Sequence, residues 1–313
     1  MEKILILAFY QFININDLES LKNKLTEYCV LERIKGTILL SCEGINGTVA
    51  GSVSSIEKLI SILKTKGFNN INEKKSDSEF MPFPRLKIKL KDEIVTFREQ
   101  SLDMENNKGQ YVKPENWNEL ISDENIVLVD VRNNFEVKMG SFKSSLNPET
   151  ESFIDFKNFA LQLMKINKNK KIAMFCTGGI RCEKASSYLV GMGAENVFQL
   201  EGGILNYLEK IKEDDSMWEG ECFVFDRRVS LTENLDKGTY TICSGCRNPI
   251  NKNDEKSKYY EKGVSCKGCF NLTSDSKKLG LREREKQKKI AIDRNKKNPF
   301  VDISAEDYFE SGI

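Results

Sequence analysis

The chain has 313 residues, long for a single core, so two or three domains are the expectation. Hydrophobic residues at 39%, charged residues at 30% and a net charge of +1 describe an ordinary globular balance, and any nucleic-acid signal must therefore be local. With no histidine in the chain, Ser-His-Asp and Cys-His catalysis and histidine metal ligands are excluded, and chemistry must rest on Cys, Asp, Glu, Lys, Arg, Tyr or a cofactor.

The first segment, residues 1–98, begins with an apolar run at Ile4–Tyr10 that lacks a small-residue cleavage site and reads as a strand rather than a leader. Strand-like runs follow at Gly36–Ser41, Thr48–Gly51 and Leu86–Lys91, and helical periodicity appears at Asn16–Tyr28 and Ser54–Lys66. The order predicts a ferredoxin-like α+β domain. Within it Gly44 and Gly47 suit a turn between two strands.

In the second segment, residues 99–217, continuous apolar strands at Ile126–Arg132, Lys171–Cys176 and Asn196–Leu200 alternate with helical stretches at Phe153–Ile166 and Glu183–Met192. This pattern predicts a parallel sheet covered on both faces, with ligands beyond the C-terminal strand ends. Cys176 stands at one such end; Asp130 and Arg132 stand at another. Gly202 and Gly203 suit a further turn.

The strongest chemical signal is FCTGGIRCEKAS, residues 175–186. A strand delivers Cys176, and Thr177, Gly178, Gly179 and Ile180 form a short turn before a helix starts near Arg181. Glycines let successive N–H groups point inward as an anion-binding nest, and the helix dipole and Arg181 add positive potential. Each effect favours thiolate over thiol. A buried cysteine before a glycine turn is the bland alternative, but it leaves the arginine and the strand-to-helix setting unexplained. Phosphatases of the tyrosine class place five residues between cysteine and arginine; here four separate Cys176 from Arg181, and Phe175 stands where their histidine would. The shorter cradle suits sulfur better than phosphate. Cys182 is either a resolving thiol for Cys176 or a core residue. Asp130, Arg132 and Glu136 either contact substrate or form an internal salt-bridge network that holds the loop.

The third segment, residues 218–313, carries Cys243, Cys246, Cys266 and Cys269 as two CxxC pairs separated by nineteen residues. Two chelating turns of this kind fit a structural zinc site with four cysteine ligands, and redox dithiols or an iron–sulfur cluster are the alternatives. A basic helix follows. From Lys277 to Lys297 there are ten Lys/Arg and three Asp/Glu. Arg282, Arg284, Lys286, Lys288 and Lys289 either coat a solvated helix or grip an RNA backbone.

These motifs together resemble the bacterial rhodanese-domain tRNA uridine hydroxylases. The resemblance rests on CTGGIRCEKAS, DVRNNFEVKMGSF (130–142) and LEGGILNY (200–207), and extends to EGINGTVAGS, RLKIKLKDEIVTF, WEGECFVFDRRVS and GVSCKGC in order, nearly the whole chain. It implies hydroxylation of the tRNA wobble uridine to 5-hydroxyuridine, with molecular oxygen as co-substrate and Cys176 as the essential residue. The family carries histidine inside the cysteine knuckles, where this chain has Ser244 and Lys267 or Gly268. Two other readings remain: a rhodanese-type sulfurtransferase carrying a persulfide on Cys176, and a noncatalytic RNA-binding redox sensor. No dinucleotide fingerprint is present, no DNA partner is expected, no stretch has the length of a membrane span, and the chain is expected in the cytoplasm. The sequence leaves the oligomeric state open.

Overall fold

The computed structural model describes residues 3–167, 170–294 and the backbone of 303–304. The C-terminal end of the basic stretch, residues 295–297, lies outside the described residues.

The first unit runs β1 (Ile4–Phe12), α1 (Leu18–Leu31), β2 (Lys35–Ser41), β3 (Gly44–Gly51), α2 (Val53–Thr65), β4 (Asn72–Ser78), β5 (Phe80–Met81) and β6 (Leu86–Leu90). Its sheet has the order β4-β1-β3-β2-β6, which is the ferredoxin-like arrangement with one extra edge strand. Asp17 and Ser52 cap the two helices by accepting from the N–H groups of Ser20 and Ser55. Leu25, Leu59 and Leu63 from those helices pack on Leu7, Ile38 and Val49 of the sheet.

Two details differ from expectation. The strand that closes the βαββαβ unit is β4, NEKKSDS, antiparallel to β1. Leu86–Leu90 instead lies parallel to β2 at the far edge. A charged strand is stable at the β4 position because its main chain is paired on one side only and its side chains alternate toward solvent. Gly47 is also a strand residue, opposite both Ile38 and Phe9. A Cβ at Gly47 would meet the Phe9 ring at 2.8 Å, so close packing across the sheet accounts for it. The hairpin turns at Cys42–Glu43, and Gly44, at φ +149°, opens β3.

The second unit has β7 (Gln110–Val112), α3 (Pro114–Ile121), β8 (Ile126–Asp130), α4 (Asn134–Val137), β9 (Gly140–Phe142), α5 (Phe156–Asn167), β10 (Lys171–Phe175), α6 (Ile180–Gly191), β11 (Val197–Leu200) and α7 (Gly203–Lys210). The four-stranded sheet β7-β11-β10-β8 is parallel throughout. One face packs on Phe156, Leu163, Ala185 and Leu189 of α5 and α6. The other packs on Trp117, Ile204 and Tyr207 of α3 and α7. Covering both faces explains the continuous apolar strands.

The third segment adds β12 (Trp218–Gly220), β13 (Cys222–Phe223), β14 (Ser230–Leu231), β15 (Thr241–Ile242), β16 (Pro249–Ile250), α8 (Lys252–Glu255), α9 (Asp275–Asp293) and β17 (Ile303–Ser304). β12 pairs with β9, and Trp218 stacks edge-on to Phe142, so the packing of the second unit runs past residue 217. β17 pairs with β5 of the first unit. No helix among the described residues is long and apolar enough to cross a membrane.

Candidate active site

β10 carries Cys176 to the C-terminal edge of the sheet, between β8 and β11, and α6 begins four residues later. Gly179 makes the turn possible: its φ is +98°, in the left-handed region that favours glycine. From there its N–H reaches Cys176 Sγ at 3.2 Å. The loop is backed by α7. Gly203 lies so close to it that a Cβ would stand 2.5 Å from the Cys176 carbonyl oxygen, and the N–H groups of Ile204 and Leu205 donate to the carbonyls of Cys176 and Thr177 at 3.0 and 3.1 Å. Gly202 and Gly203 therefore dock a helix start beneath the reactive loop.

Cys176 is only 1% exposed. Burial alone opposes ionisation, yet the Cys182 thiol hydrogen-bonds to it, the Arg181 guanidinium is beside it, and the main-chain N–H groups of Cys182 and Arg181 point at it. These win, and the thiol is lowered to about 6. Cys29, buried without such partners, is pushed up to about 12, and so is Cys222, where burial outweighs the nearby Arg132. Cys182 is itself raised, by burial first and then as the donor to Cys176.

Arg181 does not reach into open space. Its Nη1 and Nη2 donate to Glu136 Oε2 and Oε1 at 2.6 and 2.8 Å, and Nη2 lies 3.5 Å from Thr177 Oγ1. Glu136 comes from α4, and Arg181 holds its buried carboxyl below the usual carboxylate range. Arg132 is likewise turned inward. Its Nε and Nη2 clasp Asp130 at 2.9 and 2.6 Å, Nη2 donates to the Gly140 carbonyl at 2.5 Å, and its guanidinium lies over Trp218. Asp130, Arg132 and Glu136 thus form a buried ionic frame under the loop.

Four residues outside the sequence-based site complete the surroundings. Glu183, in the first turn of α6, accepts from Tyr10 Oη at 3.0 Å and from Tyr111 Oη at 2.7 and 2.9 Å. Lys184 is buried and donates to Glu43 and Glu93 at 2.9 Å each and to the Val95 carbonyl at 3.0 Å. Tyr10 and Glu43 belong to the first unit, so α6 is tied to it on two sides. Between the units opens a cleft of about 1520 Å³, lined by Tyr10, Asn72, Lys91, Arg98, Tyr111 and Glu183 among others. Tyr10 also stands against the cysteine loop: its hydroxyl lies 2.8 Å from where a Cβ on Gly179 would be.

In the third segment the four cysteine sulfurs all lie within 4.8 Å of one another. Cys243 and Cys269 are 3.7 Å apart, Cys246 and Cys266 3.7 Å, and Cys266 and Cys269 3.9 Å. Four thiolates on a tetrahedral zinc at about 2.3 Å would stand about 3.8 Å apart. The residues fit such an ion and leave no open coordination position for chemistry. On α9, Arg282 pairs with Glu261 and Lys288 with Glu285. Lys286 and Lys289 are exposed, and Arg284 is half-buried.

Fold and thiolate loop define a rhodanese-like domain carried on a ferredoxin-like unit. Residues 113–210 match the rhodanese-like domain family, and residues 4–94 match the family described as UPF0176 acylphosphatase like domain. The chain belongs to the UPF0176 rhodanese-domain family. Among solved structures it is similar to a rhodanese-related protein from Thermoplasma volcanium, at 25% identity over 32% of this chain and 92% of that one, with a TM-score of 0.27. A rhodanese-like domain protein from Staphylococcus aureus is also similar, at 25% identity over 31% and 90%, with a TM-score of 0.26.

Proposed function

We propose that this protein hydroxylates the wobble uridine of tRNA to 5-hydroxyuridine in the cytoplasm, with Cys176 as the reacting residue. The observation that carries the reading is the cleft. At about 1520 Å³ it exceeds the ~300–1,000 Å³ typical of small-molecule pockets, and it meets the thiolate loop at Tyr10. A small sulfur anion needs no such space; a nucleotide in its anticodon loop does.

In this reading the Cys176 thiolate adds to C6 of the uracil ring, and the electron pair displaced to C5 makes that carbon open to oxygen. The overall change takes up one O2, two protons and two electrons from an external reductant, and releases one water. Arg181, fixed by Glu136, supplies positive potential behind the thiolate rather than a hand on the substrate. Zinc held by Cys243, Cys246, Cys266 and Cys269 fixes the fold of the third segment. Lys286 and Lys289 on α9, with Arg282, Arg284 and Lys288 beside them, supply charge for the tRNA backbone.

Mass spectrometry of nucleosides from tRNA incubated with the protein under 18O2 tests this directly. A labelled oxygen on uridine, lost with Cys176→Ser, is the expected result. Thiocyanate release from thiosulfate and cyanide, with tRNA left unchanged, would replace this reading with sulfur transfer. Bound but unmodified tRNA, without thiocyanate, would leave a sensing role.

A further inference from the structure

The proposed reaction needs a proton acceptor at C5, and the chain contains no histidine. Of the six other carboxylates that line the cleft, three are committed elsewhere. Glu43 and Glu93 hold Lys184, and Glu99 is bonded to Ser101 and faces Lys157. Glu183 differs. It lines the cleft, sits in the same helical turn that cradles Cys176, and is held by two tyrosine hydroxyls rather than by a cation. We propose that Glu183 is the acid–base residue of this site, moving the proton at C5 of the uracil ring while Tyr10 and Tyr111 aim its carboxyl.

The inference rests on the hydroxylase reading and deepens it. The Cys176 Sγ–C6 bond forms, the C5=C6 pair moves to C5, and C5 takes the proton of the Glu183 carboxylic acid. In reverse, the Glu183 carboxylate removes the C5 proton, the double bond re-forms, and the C6–S pair returns to sulfur. After oxygen has entered at C5, the same proton removal restores the aromatic ring and frees the thiolate. The step is redox-neutral and needs no co-reactant.

The surroundings suit this task. Burial raises the Glu183 carboxyl, the tyrosine hydroxyls and Gln199 pull it back, and the Cys176 charge raises it again, leaving it above the ordinary carboxylate value. Tyr10 and Tyr111 are both raised in turn, by burial and then by Glu183. Tyr111 also feels Glu201, and Tyr10 also feels Cys176. Tyr111 is 52% exposed despite its bonds to Glu183, so its ring offers a face in the cleft for a base to stack upon.

The test uses the full chain and tRNA tritiated at uridine C5, without oxygen. Wild type should release tritium to water, and Cys176→Ser should release none. Glu183→Gln should slow release by at least ~100-fold, and the alkaline limb of the rate profile, set by loss of the Glu183 proton, should disappear while the acidic limb set by Cys176 remains. Iodoacetamide labelling of Cys176 in the same variant reports whether the loop is intact. If labelling is disturbed, Glu183→Asp decides: release within tenfold of wild type supports the assignment, and no recovery overturns it. Release at the wild-type rate from Glu183→Gln overturns the assignment and leaves the hydroxylase reading standing. Formation of 5-hydroxyuridine in air with no tritium release without oxygen also overturns the assignment alone. A wild type that does neither removes both.

Discussion

Arg181 and Glu136 hold each other through two parallel hydrogen bonds of 2.6 and 2.8 Å, and neither side chain is appreciably exposed. The pair joins α6 to α4 directly behind the thiolate. Its effect on Cys176 is therefore electrostatic and positional. Glu136→Ala leaves a buried guanidinium without its counter-ion and should cost about 3–5 kcal/mol, read as a lowered midpoint in urea unfolding. Arg181→Lys keeps the charge but loses the fork. It should move the Cys176 midpoint upward in a pH series of iodoacetamide labelling; an unchanged midpoint would show that the Cys182 thiol and the N–H groups suffice.

Wild-type Cys176 should label with a midpoint near pH 6. The sign for stability follows. The folded thiol is lowered relative to the unfolded value of about 8.5, so the folded state binds fewer protons between the two. Stability from this group is fully present above about pH 8.5 and is lost as pH falls through about 6. Comparing wild type with Cys176→Ser in urea at pH 5.5 and 8.5 measures it: the difference between the two proteins should be larger at the higher pH.

Lys184→Met should destabilise the junction between the first and second units, because Glu43 and Glu93 lose their shared cation. The expected cost is about 3–5 kcal/mol. Faster proteolysis near the β2–β3 turn, with Cys176 labelling preserved, would place the loss at the junction and not in the loop.

Chelation should release one zinc per chain. Any single serine replacement among Cys243, Cys246, Cys266 and Cys269 should do the same, measured by metal analysis. A cobalt-substituted protein should give the intense visible bands of a tetrahedral thiolate site. Weak octahedral bands would contradict the sulfur geometry.

Lys286→Ala with Lys289→Ala should weaken binding of all tRNAs alike and lower the salt dependence by about one unit per lost phosphate contact. Arg282→Ala should do less, because Glu261 already engages that guanidinium.

Much of this was legible where the chemistry is contiguous. The cysteine loop announces itself because strand, glycine turn, arginine and helix occupy twelve consecutive residues. The cysteine knuckles are equally local. β4 was hidden because a charged edge strand has no apolar alternation to detect. Glu183 and Lys184 were inside the recognised motif yet unassigned, for their partners Tyr10 and Glu43 lie 173 and 141 residues away. A buried lysine reads like any surface lysine until its carboxylates are found. The inward turn of Arg181 was also invisible, since nothing in the order of residues says that Glu136 stands behind the loop.

Cys182, Glu183 and Lys184 are neighbours in the chain, yet each faces a different partner: the reactive thiolate, the cleft tyrosines and the carboxylates of the first unit. A helix advances about 100° per residue, so α6 works like a keyed shaft whose three successive teeth engage three separate wards. Deleting a single residue in its first turn would bring the glutamate to the thiolate's side and the lysine to the tyrosines, and inserting one would bring the glutamate to the carboxylates. Such a frame error would disable all three at once, while a substitution at any tooth disables only its own. The spacing from Cys176 to Lys184 is therefore as much a part of the machinery as the side chains themselves.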